Sequence, residues 1–155
     1  LVVIVRMPLN LAVFNPNAAE AVLATYPEVQ GWVVGGHSLG GAMAASFARQ
    51  NLSQVEGLIL LASYPASSAD LSATDLAVLS IYATQDGLAS VDKIRAAQTL
   101  LPASTQWVAI EGGNHAQFGW YGEQPGDGVA TLSRSEQHRQ TLAAILKFLE
   151  SVQSR

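Results

Sequence analysis

Short runs of apolar residues recur along the chain and are separated by polar and helix-like segments. These runs are rich in Val, Ile and Leu, which is typical of parallel strands that are buried on both faces of a sheet. These apolar runs predict five strands, Leu1–Val5, Trp32–Gly35, Val55–Leu61, Ala77–Ala83 and Thr105–Ile110.

Helical patterns separate most of the predicted strands. The predicted helices are Ala18–Tyr26, Gly41–Gln50, Val91–Leu101 and a last helix after the capping box Ser133 to Glu136. In the last helix Leu142, Ile145, Leu146 and Leu149 are predicted to share one apolar face. This alternation predicts an α/β fold in which a mostly parallel, open sheet of about five strands carries helices on both faces.

Composition limits the classes of partner. The 155 residues are 49% hydrophobic and 13% charged, which predicts one domain, residues 1–155, with a sizeable core. The net charge is −4 and the eight Lys and Arg form no stripe, so neither nucleic acid nor an anionic membrane surface is an expected partner. Cys is absent and the three His are far apart, so we expect a small-molecule ligand and neither a metal nor a cofactor.

The segment Gly36–Gly40, Gly-His-Ser-Leu-Gly, joins a predicted strand to a predicted helix. A serine in such a turn is held in a strained backbone conformation, which requires glycines two residues before it and two residues after it. Ser38 is therefore a candidate nucleophile, and the N–H of Leu39 is a candidate donor to an oxyanion. A tight turn whose glycines serve packing alone is the competing interpretation.

Asp86 and His115 are two further candidates. Each follows the end of another predicted strand, which is where ligands of open α/β sheets bind. Ser38, Asp86 and His115 occur in the chain order nucleophile, acid and base. In this hypothesis His115 accepts the proton of the serine hydroxyl, while Asp86 fixes the imidazole tautomer. Each of the two also has a structural interpretation, as a turn residue or a loop histidine. Glu111 and Asp127 are the competing acids.

The Gly-rich segment 112–132 is long for a loop, which is typical of functional loops. Candidates for lining an acyl pocket are Gln117, Phe118, Trp120 and Tyr121, together with Met7. Aromatic residues that only anchor the loop are the competing interpretation. His37 and His138 are interpreted as structural.

Four segments carry a family resemblance: Arg6–Phe14, Gly35–Gly41, Gln85–Leu88 and Glu111–Gly119. They resemble the α/β-hydrolase superfamily and, within it, the alpha/beta hydrolase fold-5 branch, which is related to dienelactone hydrolases. The resemblance implies a serine hydrolase of small ester-, thioester- or lactone-like substrates, with Ser38 as nucleophile, Asp86 as acid and His115 as base. Dienelactone hydrolases proper carry Cys at the nucleophile position, so their substrate is not carried over.

The resemblance further implies that the chain holds the C-terminal portion of the fold. The superfamily takes its second oxyanion donor from a loop upstream of the strand that Leu1–Val5 resembles, and we therefore expect a segment before Leu1. A membrane anchor, if there is one, is expected there, and an unpaired strand edge is expected to favour self-association. Localisation stays open. The alternative functions are binding of a ligand or partner without turnover, and acyl transfer by the same three residues.

Overall fold

The computed structural model describes residues 1–120 and 122–154. Within these residues a parallel sheet is formed by β1 Trp32–His37, β2 Val55–Leu61, β3 Ala77–Ala83 and β4 Gln106–Ile110. The strands follow one another in the sheet in their chain order. The helices are α1 Glu20–Thr25, α2 Leu39–Gln50, α3 Val91–Ala96 and α4 Arg134–Gln153.

Alternate residues of β2 pack on opposite faces of the sheet, as the pleat of a strand requires. Leu58 and Leu60 lie in an apolar cluster with Phe47 of α2, whereas Ile59 lies in another with Phe148 of α4. The side chains of Phe47 and Phe148 are only 3% and 1% exposed, so each contributes roughly 2–3 kcal/mol of apolar burial. Helices α2 and α4 thus cover opposite faces, and the predicted α/β architecture is confirmed.

The predicted strand Leu1–Val5 is wrong. Leu1, Val2 and Ile4 are 78%, 89% and 92% exposed, and no strand is formed by this segment. An apolar run meets the compositional rule for a buried strand, but a strand also needs a neighbour to satisfy its backbone N–H and C=O groups. Within the described residues β1 pairs with β2 alone, and the sheet has four strands rather than about five.

The predicted apolar face of α4 is buried only in part. Ile145 and Leu149 pack against the core, whereas Leu142 and Leu146 are 57% and 53% exposed. The hydrophobic pattern missed Gln137, which is fully buried and whose side chain hydrogen-bonds to the backbone of Asn114. The start of α4 follows the predicted cap, since the N–H of Glu136 donates to Ser133 Oγ at 3.2 Å.

Candidate active site

The carboxyl ends of three strands hold the candidate residues. Ser38 follows β1 directly, Asp86 follows β3 and His115 follows β4. Because the strands are parallel, these ends lie at one edge of the sheet.

Ser38 has a strained backbone, with φ at 53° and ψ at −126°. Such a conformation is costly for an L-residue and persists only where its surroundings hold it. Its N–H donates to the carbonyl oxygen of Leu61 at 2.9 Å. Its own carbonyl oxygen accepts from the N–H of Gly41 at 3.0 Å, the N–H of Ala42 at 3.2 Å and the hydroxyl of Ser63 at 2.6 Å. Hydrogen bonds with β2, with α2 and with Ser63 therefore hold the turn in place.

The glycines around Ser38 differ in whether the structure leaves room for a side chain. A Cβ at Gly36 would overlap the backbone of Gly40, and a Cβ at Gly41 would lie 2.6 Å from the Cβ of Ser63. A Cβ at Gly40 would meet nothing within 4 Å. The prediction that the glycine two residues after the serine is sterically required is thus wrong, because the close approach occurs at Gly41.

Asp86 and His115 are joined by a short, buried hydrogen bond. The Nδ1 of His115 lies 2.7 Å from Asp86 Oδ2, and the two residues are 2% and 5% exposed. The other oxygen of Asp86, Oδ1, accepts from the N–H groups of Leu88 at 2.8 Å and Ala89 at 2.7 Å. A carboxylate held in this way assigns the proton of a neutral His115 to Nδ1 and leaves Nε2 as the acceptor.

Ser38 is linked to this pair through its neighbour His37. The His37 ring lies 4.5 Å from the ring of His115, measured between centroids, and stacks on Phe118 at 5.7 Å. Within the described residues no hydrogen bond joins the Ser38 hydroxyl to His115. The structure thus brings Asp86 and His115 into contact and places Ser38 at the same edge, one residue from a ring that touches His115.

The environment of His37 favours the neutral imidazole. Burial lowers the pKa of His37 to about 4, and the neighbouring His115 lowers it as well, against the opposing effect of the carboxylates of Asp86 and Asp127.

The competing acids occupy other positions. Glu111 is exposed at the end of β4. The carboxylate of Asp127 accepts hydrogen bonds from the backbone of His115 and Ala116, and the imidazole of His115 is bonded to Asp86 instead. The signal for Asp127 in the sequence was its Gly-rich turn, but nothing there indicated that the turn contacts the loop after β3.

The pocket candidates are dispersed. Phe118 is partly buried and packs against the apolar cluster of Phe148 and against a smaller cluster formed by Ala62, Ala89 and Ile94, and its ring stacks on His37. Gln117 uses its side-chain amide within the loop, where Nε2 donates to the carbonyl oxygen of Leu132 at 3.2 Å. Met7 lies in the N-terminal segment, where it lines a surface pocket beside Arg6. Tyr121 lies outside the described residues.

Trp120 is 78% exposed and packs on α4. Its ring lies under the guanidinium of Arg134, at 4.9 Å, and is nearly perpendicular to the ring of His138, with 5.8 Å between the ring centroids. This arrangement fits an anchor of the loop to the helix better than a wall of a pocket.

Residues 1–120 and 122–154 contain no group of three or more His, Asp or Glu arranged to hold a metal ion. In the same part of the chain no helix is long and apolar enough to cross a membrane.

The model of the alpha/beta hydrolase family matches residues 1–139. The chain belongs to this family. The resemblance found in the four segments is thereby confirmed at the level of the alpha/beta hydrolases. No protein of curated function shows significant sequence similarity to the chain.

Solved structures of hydrolases superpose on this alpha/beta hydrolase at low identity. A thermophilic esterase from Thermogutta terrifontis, with malate bound, is 15% identical with a TM-score of 0.68, over 97% of this chain and 75% of its own. A carboxylesterase from Nitrososphaera gargenis is 11% identical with a TM-score of 0.66, over 93% and 73%.

A predicted CIB-like hydrolase from Thermoplasma acidophilum is 15% identical with a TM-score of 0.60, and the match covers 86% of this chain. The match covers 60% of that protein, so the chain spans less than two thirds of its length. At these identities the comparisons establish the fold.

Proposed function

We propose that the protein is a serine hydrolase that cleaves small ester-, thioester- or lactone-like substrates through Ser38, Asp86 and His115. The observation that carries the proposal is the 2.7 Å hydrogen bond between His115 Nδ1 and Asp86 Oδ2. A buried acid on Nδ1 leaves Nε2 free to accept a proton, which is the tautomer that a serine nucleophile needs. Membership of the alpha/beta hydrolase family supports hydrolysis as the class of reaction.

In the proposed reaction, Ser38 Oγ attacks the carbonyl carbon of the substrate while His115 Nε2 accepts the hydroxyl proton. The carbonyl oxygen becomes an oxyanion, to which the N–H of Leu39 donates from the first turn of α2. The imidazolium then protonates the leaving group, and the bond to that group breaks to give an acyl-enzyme. Water, deprotonated by His115, attacks the acyl carbon, the bond between that carbon and Ser38 Oγ breaks, and the imidazolium returns the proton to Ser38 Oγ as the acid leaves.

Small substrates are proposed because the connection between β2 and β3, residues 62–76, contains only a short turn at Ser67–Ala69. A connection of this length is too short to enclose a long acyl chain. Phe118 is proposed to line the acyl site, since its ring stacks on His37 and the ring of His37 lies against His115.

The test is covalent labelling with a fluorophosphonate probe, combined with hydrolysis of p-nitrophenyl acetate. Wild type should be labelled and active, and Ser38→Ala should be neither. Ser46→Ala is the matched control, because its hydroxyl bonds only within α2, to the carbonyl oxygen of Ala42. Retained hydrolysis in a folded Ser38→Ala protein would contradict the proposal.

A folded wild type that takes no label and hydrolyses no ester would instead favour binding without turnover. Adding an alcohol to an active enzyme and analysing the products distinguishes hydrolysis from acyl transfer, because a transferase would form the new ester in preference to the acid.

A further inference from the structure

The carboxylate of Asp127 connects two loops of the site. Its Oδ1 accepts from the N–H of Gly87 at 3.2 Å and from the N–H of His115 at 3.1 Å, and its Oδ2 accepts from the N–H of Ala116 at 2.8 Å. Gly87 directly follows Asp86. One carboxylate therefore binds the backbone beside the acid and the backbone of the histidine at the same time.

The two loops are defined as the Asp86 loop, residues 84–89, and the His115 loop, residues 111–118. The backbone of Gly126–Gly128 packs directly against the backbone of the Asp86 loop. A Cβ at Gly128 would overlap the carbonyl oxygen of Gln85, and a Cβ at Gly87 would overlap the carbonyl oxygen of Gly126. This spacing leaves no room for a side chain, and it brings the carboxylate of Asp127 within reach of both loops.

Asn114, which belongs to the His115 loop, connects that loop to the 126–128 segment and to α4. The Nδ2 of Asn114 donates to the carbonyl oxygen of Gly128 at 2.8 Å. The backbone of Asn114 makes a reciprocal pair with Gln137 of α4: its N–H donates to Oε1 at 3.1 Å, and its carbonyl oxygen accepts from Nε2 at 2.8 Å. The residues before and after His115 are thus both held in place, Asn114 by Gly128 and Gln137, and Ala116 by Asp127.

We propose that Asp127 is a positioning residue that sets the separation of Asp86 and His115. Asp127 acts through the backbone N–H groups that donate to its carboxylate. The expected effect on the rate rests on the proposed function, whereas the expected effect on the geometry does not. An amide at this position has a single acceptor oxygen, so its NH2 group would face one of the N–H donors that the carboxylate now accepts. The two loops would move apart, and a displacement of about 1 Å in a catalytic group can cost on the order of 10²-fold in rate.

The test compares wild type with Asp127→Asn by two measurements. The first is the downfield proton resonance of the His115 Nδ1–H, which reports the hydrogen bond to Asp86 whether or not the protein turns over an ester. The second is the separation of kcat from KM for p-nitrophenyl acetate. We expect the resonance to shift upfield or disappear, kcat to fall roughly 10- to 100-fold and KM to stay within about twofold.

Asp70→Asn is the matched control, because Asp70 Oδ1 also accepts from a backbone N–H, that of Ser72, at 2.8 Å. Its backbone carbonyl oxygen accepts from Arg49 near the C-terminal end of α2, whereas Ser38 lies at the N-terminal end. This control should keep the wild-type resonance and kcat.

A folded Asp127→Asn protein with an unchanged resonance and an unchanged kcat overturns the inference. If Asp127→Asn does not fold, Asp127→Glu, which keeps both acceptor oxygens on a longer side chain, is judged by the same two measurements and the same criterion. If wild type hydrolyses no ester, the proposed function fails, while the resonance still decides whether Asp127 sets the bond between Asp86 and His115.

Discussion

The hydroxyl of Ser63 donates a 2.6 Å hydrogen bond to the carbonyl oxygen of Ser38. Ser63 follows Ala62, which itself has a positive φ of 46°, so non-glycine residues in the left-handed region stand at the ends of the neighbouring strands β1 and β2. Backbone strain of this kind tends to cluster at functional sites and must be held by its surroundings. The Ser63 hydroxyl is one of the groups that hold it here.

Ser63→Ala should therefore weaken the turn at Ser38. The carbonyl oxygen of Ser38 keeps its two bonds from α2, so we expect a loss of about 1 kcal/mol in the free energy of unfolding, together with a lower kcat. Urea denaturation and ester hydrolysis measure the two effects. Ser46→Ala removes a hydroxyl within α2 and should leave kcat unchanged; equal kcat values for the two variants would refute the role of Ser63.

Gly36→Ala and Gly40→Ala form a matched pair. A Cβ at Gly36 would overlap the backbone of Gly40, and we expect a loss of roughly 1–3 kcal/mol or more, as in overpacked interiors. A Cβ at Gly40 meets no atom within 4 Å and lies in α2, where Ala should add up to about 1 kcal/mol through helix propensity. Chemical denaturation of both variants measures the difference, and a destabilised Gly40→Ala protein would contradict the steric assignment.

Asp86→Asn tests the acid. The variant should keep its fold, yet its ester hydrolysis should fall by something like 10⁴-fold because the tautomer of His115 is no longer fixed. Steady-state kinetics and circular dichroism provide the measurements. Glu111→Gln serves as control, since Glu111 is exposed, and a loss of activity in this control together with an active Asp86→Asn would reverse the assignment.

The partly buried His37 should make stability depend on pH. Its pKa is about 4 in the folded protein, whereas a histidine of an unfolded chain titrates near 6.5. Between these values the unfolded state binds more protons, so stability falls as the pH drops from about 6.5 towards 4. At pH 5 the His37 contribution amounts to about 2 kcal/mol of destabilisation relative to neutral pH.

His37→Asn should remove this contribution. Thermal unfolding of wild type and variant at pH 7.5 and pH 5 tests the prediction, and the quantity compared is the change with pH rather than the absolute melting temperature. Parallel decreases in the two proteins would show that another group is responsible.

The sequence predicted the parts of the fold that depend on local pattern. The runs at Val55–Leu61 and Ala77–Ala83 became β2 and β3 with the predicted bounds, because each has a strand on both sides and helices on both faces. Leu1–Val5 has the same kind of composition but no neighbouring strand, and neighbours cannot be deduced from a run alone. In α4 the hydrophobic pattern missed Gln137, which is buried because Asn114 satisfies its amide.

The same distinction between local pattern and long-range contacts applies to the candidate site. Ser38, Asp86 and His115 were predicted as candidates because each follows a strand, which is a local signal. The roles of Ser63 and Asp127 depend on contacts between segments 25 and 40 residues apart, as in Ser63 to Ser38 and Asp127 to Gly87. Nothing in the composition of either segment indicates its partner, so such contacts become visible only in the folded chain.

The strand order places the three candidate residues at different depths of the sheet. Within the described residues Ser38 and His115 follow the edge strands β1 and β4, which each pair on one side only, whereas Asp86 follows the inner strand β3. Edges of sheets open at a lower free energy than their interiors. Local opening of β1 would therefore displace Ser38, local opening of β4 would displace His115, and amide protons of β1 and β4 should exchange with solvent before those of β2 and β3.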